Sequence, residues 1–398
     1  MNKINKIKKN TPNLYLSRSA QKLSGSPMFQ FLAKAQALER QGKKIYHFEI
    51  GDPDFDTPAH INKAAIKAIE SGETHYVSSM GMRELREAIR FETKRINGFK
   101  PDIEQIIVAP AISFIYFVTR CVVNPGEEVI VPDPGFASYY SAFDFIGAKC
   151  VGIPLLEKNN FRMSPADIRR SITPKTRLII INSPHNPTGA VMTQKEMLEV
   201  AKIASKNKIY LLTDEAYSKM TYGQKHNSPA IFDKCKKNII ILNSFSKTYA
   251  MTGWRLGWAV APEHIVKKMG LMVETLISAV PPFIQRAGIA ALTGDQAFVK
   301  KSVAEYRQRR DIMVGLLNEM PGVHCLKPDG AFYVFPNITG TGMTSEEFSR
   351  FALEKAGVVL LPGTNFGRHG KGYVRLVYAS SQKNIVEGMK KLKKALEK

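Results

Sequence analysis

Short apolar runs alternate along the chain with segments whose apolar positions recur every three or four residues. The runs cover 105–108, 128–131, 178–181, 209–212, 239–242 and 256–260. They are nearly continuous rather than alternating, as expected of strands covered on both faces. Between and behind them the spacing predicts helices over 82–95, 193–206 and 301–319. A βαβα rhythm of this kind predicts an α/β fold: an open, mostly parallel, doubly wound sheet wrapped by helices. Ahead of it, Met28, Phe31, Leu32, Ala35 and Leu38 predict a helix over 28–42 that ends near Gly42. The last hundred residues change character. They predict a hairpin-like stretch at 330–335, a helix near 345–356 and a last helix over 387–397, which together form a smaller α+β layer.

The expected division is therefore a polar, basic arm over 1–27, a large domain over 61–290, and a small domain from both chain ends, 28–60 and 291–398. A length of 398 residues agrees, being too great for one simple core. With 44% hydrophobic and 23% charged residues the chain is neither disordered nor collagen-like. No apolar run reaches the roughly 18 residues that span a bilayer, so no membrane partner is expected. The opening MNKINKIKKN lacks the apolar stretch of a secretory signal. Cys121, Cys150, Cys235 and Cys325 lie far apart without a CxxC, which argues against a disulfide scaffold or a metal site and fits a reducing cytoplasm.

Charge adds a question. The chain carries 57 Lys and Arg against 35 Asp and Glu, a net +22. One cluster is Lys3, Lys6, Lys8 and Lys9. The other is Lys390, Lys391, Lys393, Lys394 and Lys398, interleaved with Met389, Leu392 and Leu396 at helical spacing. Aromatic residues interleave with neither, so both read as solvated faces and no nucleic-acid partner is expected.

In doubly wound sheets ligands sit outside the carboxyl ends of the strands. Three polar segments follow apolar runs there: 182–189, 213–217 and 243–247. In the last, Ser244, Ser246 and Lys247 precede Arg255, which sits between Gly253 and Gly257. Two hydroxyls and a guanidinium suit a phosphate, and a shielded lysine there suits a Schiff-base nucleophile. Asp214 ends a buried run and needs a positive partner, which a protonated pyridine nitrogen would supply, or it caps the next helix. Tyr217 can turn its phenol to the same place. Pro184, Pro187 and Gly189 fix a turn that holds the Asn186 amide in one direction.

Together these segments resemble the class I and II pyridoxal-phosphate-dependent aminotransferases, the aspartate aminotransferase superfamily of fold type I. The resemblance runs from about Ile50 to Leu376. It includes Glu49-Ile50-Gly51-Asp52-Pro53-Asp54-Phe55, Thr74-His75-Tyr76, Asp133-Pro134-Gly135-Phe136, Pro184-His185-Asn186-Pro187-Thr188-Gly189, Asp214-Glu215-Ala216-Tyr217, Ser244-Phe245-Ser246-Lys247, Gly253-Trp254-Arg255-Leu256-Gly257, Pro362-Gly363-Thr364 and Tyr373-Val374-Arg375-Leu376. It implies that Lys247 carries pyridoxal 5'-phosphate as a Schiff base and that Asp214 keeps the ring nitrogen protonated. It implies that Tyr217 and Asn186 bond the ring oxygen, that Phe136 stacks on the ring, and that Ser244, Ser246 and Arg255 hold the phosphate. The turn Ala111-Ile112-Ser113 and Tyr76 from a neighbouring subunit would assist, which implies a homodimer. Arg375 would clamp the substrate carboxylate, with Gly51 and Asn186 nearby.

The expected activity is transfer of an amino group between an L-amino acid and a 2-oxo acid, with 2-oxoglutarate as a partner. Alternatives on the same cofactor are β-elimination (a C–S lyase) and decarboxylation; a regulator without catalysis is a further one. One departure stands out: the segment Ala109-Pro110-Ala111-Ile112-Ser113-Phe114 contains no glycine where relatives have a small phosphate-binding turn, and Ile112 is bulkier than expected. His185 and His75 are expected to be structural neighbours of Asn186 and Tyr76, Trp254 to be packing, and 330–333 to line the substrate pocket.

Overall fold

The computed structural model describes residues 20–21 and 27–398. The arm and its lysine cluster lie outside the described residues. A two-residue strand, β1 (Tyr46–His47), comes first. The main sheet follows with β2 (Ile106–Ala109), β3 (Glu128–Asp133), β4 (Lys149–Pro154), β5 (Thr176–Asn182), β6 (Tyr210–Asp214), β7 (Ile239–Ser244) and β8 (Gly257–Val260). Their order across the sheet is β2-β8-β7-β6-β5-β3-β4. β8 runs antiparallel to both neighbours and every other pairing is parallel.

Successive side chains on a strand point to opposite faces. Ile130, Ile179, Ile181, Leu211 and Ile241 enter one core cluster. Their sequence neighbours Val129, Val131, Ile180, Leu212 and Ile240 enter another on the opposite face. Both faces are dry, which is why the runs are continuous in sequence. β4 was not predicted, and the reason is physical: as an edge strand it begins exposed at Lys149 and Cys150 and buries fully only Ile153.

Helices replace the predicted segments closely: Arg83–Asn97, Gln194–Lys206 and Ala297–Asn318. A second core gathers around Tyr46, Phe48, Tyr306, Phe332, Val374 and Met389. It contains the antiparallel sheet of β11 (Leu361–Pro362), β12 (Val374–Val377) and β9 (Tyr333–Val334). β10 (Val358–Val359) pairs in parallel with β1. The last helix spans Gln382–Leu396 and so begins before the predicted 387, because Ser381 caps it by accepting from the Asn384 amide and Ile385 extends the apolar stripe. Its Lys390, Lys391 and Lys394 are exposed, and Lys393 pairs with Glu319 at 3.0 Å, a solvated basic face as expected. The helix predicted near 345–356 is α-helical over Ser345–Phe351 and widens into a π turn over Ala352–Ala356. The first long helix, Pro27–Glu39, stops short of Gly42; its Ala35 and Leu38 pack on Leu353 and Val359. The side chains of Met28, Phe31 and Leu32 lie outside the described ones. Among the described residues, no helix is long and apolar enough to cross a membrane.

Strand ends set up the site. Register places Asn182 beside Asp214 and Ser244 beside Gly257. A Cβ on Gly257 would lie 2.6 Å from Ala111 Cβ and 2.7 Å from the Asn243 carbonyl. Gly257 thus permits the close approach of β8 to the helix start at Ala111, beside a segment 109–114 that itself has no glycine. Gly257→Ala should cost about 1–3 kcal/mol in denaturant unfolding, by forcing these elements apart. Gly253→Ala, where nothing lies within 4 Å, should leave the midpoint in place. Equal midpoints for the two variants would contradict this account.

Candidate active site

A cavity of about 510 Å³ opens at the carboxyl ends of β5, β6 and β7, a size suited to a small ligand. Its lining is drawn from both parts of the chain: Gly51 and Asp52 from the first loop, Asp214 and Lys247 from the main sheet, Tyr333 and Arg375 from the small sheet.

Two groups in it are anomalous. Among the described residues five carboxylates are buried: Glu49, Glu92, Asp133, Asp214 and Glu215. Four have a cationic or histidine partner, namely His47, Arg95, His369 and His226 respectively. Asp214 has none. It accepts from the Tyr139 hydroxyl at 2.7 Å and from the Ala216 amide at 3.2 Å. Burial raises its pKa to about 6 despite those two donors. The arginines show the mirror image. Of the four buried ones, Arg86, Arg309 and Arg310 pair with Glu104, Asp54 and Asp311. Arg375 pairs with no carboxylate. It donates from Nη2 to the Glu49 carbonyl and from Nη1 to Asn186 Oδ1 at 3.2 Å, and its buried Nε has no partner. Its guanidinium lies 4.8 Å from the Tyr333 ring and 4.7 Å from the Phe366 ring. A buried carboxylate without a cation and a buried guanidinium without an anion face one cavity. Each is costly unless a ligand brings the missing charge.

Lys247 lines the same cavity from the one-turn helix Phe245–Thr248, which the Ser244 side chain caps by accepting from the Ser246 amide. Its Nζ donates to the Gly51 carbonyl at 2.5 Å. Burial lowers its pKa to about 8; Asp52 opposes this, and Arg375 and Arg255 push it further down. Tyr217 is buried and shares a 2.5 Å hydrogen bond with the Tyr333 hydroxyl. Asn186 is held by its amide on Asn182 Oδ1 at 2.8 Å.

At the cavity's other end stand Ser244, Ser246, Arg255, Ala111 and Ile112, with Phe136 on the wall. The helix Ala111–Val122 starts there, so its first N–H groups face that end, a setting that favours an anion. Ser113 does not line the cavity, and its amide is spent on the Pro110 carbonyl. Tyr76 is 90% exposed and does not line this cavity. His185 is buried with Nδ1 2.8 Å from Thr188 Oγ1, and burial lowers its pKa to about 3, so it is a neutral structural group. His75 is exposed. Trp254 donates to Thr57 Oγ1 at 3.1 Å, a packing and hydrogen-bonding role. Of 330–333, only Tyr333 reaches the cavity.

Sequence reasoning missed Tyr139, Asn182, Ile115 and Glu49. Ile115 follows Ala111 by one helical turn and Tyr139 follows Phe136 by three residues, so helical spacing from known site residues carried a signal. Glu49 carried none.

Residues 43–392 match the family description "Aminotransferase class I and II". The chain belongs to that family. It is 45% identical to an aspartate aminotransferase of Pyrococcus horikoshii, covering 91% of this chain and 94% of that one. It is 39% identical to aromatic-amino-acid aminotransferase 2 of Thermococcus litoralis, covering 96% and 98%. Its structure matches a double mutant of Thermus thermophilus aspartate aminotransferase with a TM-score of 0.92 at 34% identity, covering 96% and 100%. This aminotransferase is a pyridoxal-phosphate-dependent transferase acting on amino acids. The site fits that cofactor: Asp214 lacks the cation a pyridinium nitrogen brings, and hydroxyls, a guanidinium and a helix start meet where a phosphate requires them.

Asp214 yields a stability test. Its folded pKa lies above the ordinary 3.8, so the folded apoenzyme binds an extra proton between about pH 4 and 6. Its burden on stability is absent below pH 4 and complete above pH 6. Asp214→Asn in the apoenzyme should therefore change nothing near pH 4 and raise stability at pH 8, by at most about 3 kcal/mol. A variant less stable than wild type at pH 8 would show that the carboxylate is compensated after all.

Proposed function

We propose that this aminotransferase moves an amino group from an L-amino acid to a 2-oxo acid, with 2-oxoglutarate as one partner, through the residues of the cavity. The carrying observation is the pair of uncompensated charges, Asp214 and Arg375, that line one cavity with Lys247. When bound, pyridoxal phosphate supplies a carbon that takes the amino group and a ring that accepts the electron pair released at Cα. Asp214 would hold the ring nitrogen, with Tyr139 keeping its carboxylate oriented. Ser244, Ser246, Arg255 and the helix start at Ala111 and Ile112 would hold the phosphate, Phe136 would cover the ring, and Tyr217 and Asn186 would meet its oxygen.

Arg375 then binds the substrate carboxylate. Its bonds to the Glu49 carbonyl and Asn186 fix the guanidinium plane, and its spare donor capacity receives the oxygens. Lys247 would hold the cofactor through its amine, and its Nζ, once released, would take the proton from the substrate Cα and deliver it to the cofactor carbon that receives the amino group. A pKa lowered to about 8 places it near the operating range of a general base.

Exposed apolar side chains support a second copy of the chain. Tyr76 is 90% exposed, and Leu271 and Leu276 are 56% and 60% exposed, more apolar surface than a lone helix face needs. We place Tyr76 at the phosphate of a partner in a homodimer. All four cysteines are free, in keeping with a reducing cytoplasm.

Single half-reactions test the proposal. Mixing holoenzyme with aspartate, phenylalanine or alanine should convert the cofactor to its amine form and release the matching 2-oxo acid; 2-oxoglutarate should restore the original spectrum. Cysteine, which carries a β leaving group, should release no sulfide; release of sulfide, pyruvate and ammonia from it without that conversion would establish a lyase instead. Lys247→Ala should lose the lysine-linked absorbance band and at least ~10³-fold in kcat. Arg375→Lys loses two-pronged carboxylate binding and should raise the donor KM on the order of 10- to 100-fold. An unchanged KM would remove Arg375 from the substrate site.

A further inference from the structure

Two of the three cations that line the cavity, Arg375 and Lys247, are tied to one strip of backbone. Arg375 Nη2 donates to the Glu49 carbonyl and Lys247 Nζ to the Gly51 carbonyl. Neither the Glu49 side chain nor His47 lines the cavity, yet they stand directly behind that strip. Glu49 is fully buried, and its Oε2 has no hydrogen-bond partner. Its Oε1 lies 2.8 Å from His47 Nδ1, and His47 Nε2 lies 3.1 Å from Glu39 Oε1 on the helix Pro27–Glu39.

The imidazole thus bridges two carboxylates. Hydrogen bonding to Glu49 is the main reason its pKa is raised to about 9; Glu39 adds to this and burial opposes it. Other elements around it change little. β10 offers only Val358 and Val359, and the last helix turns Glu387 and Lys391 to the neighbouring Tyr46 rather than to His47. Lys44 is paired with Glu387. Beyond Glu49 the next charge is Arg375, which feels the Glu49 carboxylate.

A buried carboxylate with a spare oxygen takes whatever cation is offered. Glu49 has two choices, His47 and Arg375, and the Arg375 Nε is itself unpartnered. A Glu49–Arg375 pair would compete with an incoming carboxylate for the same guanidinium. We propose that His47 is a positioning residue for substrate binding: by pairing with Glu49 it leaves the Arg375 guanidinium uncommitted. This rests on the reading of Arg375 as the carboxylate clamp.

Inhibitors that carry a carboxylate but no amine isolate the effect, because their own charge is constant from pH 7 to 10. Hydrocinnamate and succinate suit an apolar and an acidic pocket. Their inhibition constants would be measured on holoenzyme of wild type, His47→Gln and His47→Gln/Glu49→Gln. His47 is charged below about pH 9 and loses its proton above it, so the wild-type constant should rise through pH 9. His47→Gln should bind about 5-fold more weakly at pH 7 and lose that alkaline limb. The double variant should regain wild-type affinity at pH 7, because no carboxylate is left to compete; damage to the fold would not be reversed by a second substitution. The same pattern is expected in the donor KM, with kcat changed less.

An inhibition constant for His47→Gln within a factor of two of wild type at pH 7 overturns the inference, as does a double variant no tighter than the single one. If His47→Gln does not fold, Glu39→Gln tests it instead. That change should move the alkaline limb toward lower pH, and an unmoved limb overturns the inference. Wild-type enzyme that transaminates yet binds neither acid also overturns it. Failure of the wild-type half-reaction is a separate result that overturns the functional reading.

Discussion

A carboxylate and a guanidinium, both nearly dry, share one cavity without neutralising each other. The rest of the structure depends on that separation. Opposite charges in a low dielectric attract strongly, and a flexible scaffold would let them collapse into an ion pair. Here each is anchored from behind. Asp214 ends a central strand whose neighbours fix it by register, and Tyr139 occupies one oxygen. Arg375 lies on a different sheet, with its guanidinium between two aromatic rings and its Nη atoms on Asn186 and the Glu49 carbonyl. Lys247 is held in the same cavity by a one-turn helix and a backbone carbonyl. The two charges thus hang from two different sheets, each fixed by its own strand neighbours.

This explains which parts of the site could be read from sequence. Of the residues proposed to meet the ligand's charges, Asp214, Lys247 and Arg255 end or follow an apolar strand or sit in a glycine-flanked turn, and Arg375, inside β12, stands in a recognisable motif, so pattern and motif locate them. The residues that hold them do not announce themselves. Tyr139 is an aromatic residue in a helix, indistinguishable from core until its hydroxyl is found on Asp214. Tyr333 was placed at the pocket but not as the partner of Tyr217. Glu49 opens the Glu49–Phe55 motif without any sign there of what its side chain meets, and His47 lies outside that motif; the role proposed for them comes from contacts with Glu39 and Arg375 at distant positions.

The fold shows the same division. Strands covered on both faces were legible because burial forces continuous apolar sequence, whereas β4 escaped because an edge strand is under no such demand. Gly257 is a further case. Its approach to Ala111 requires a small residue on β8, a demand visible only once strand and helix start are side by side.

The excess of 22 positive charges takes its meaning from pairing rather than from number. Buried arginines outside the cavity are matched to carboxylates, as Arg309 is to Asp54 and Glu305, so they contribute no net field at the site. Lysines of the last helix are solvated, where screening limits their reach to about 10 Å at ordinary ionic strength. What remains is a small set of cations left unmatched in a dry place. Net charge can speed the arrival of anionic substrates, but selection of a carboxylate at one position falls to Arg375 and to the groups that keep it unpaired.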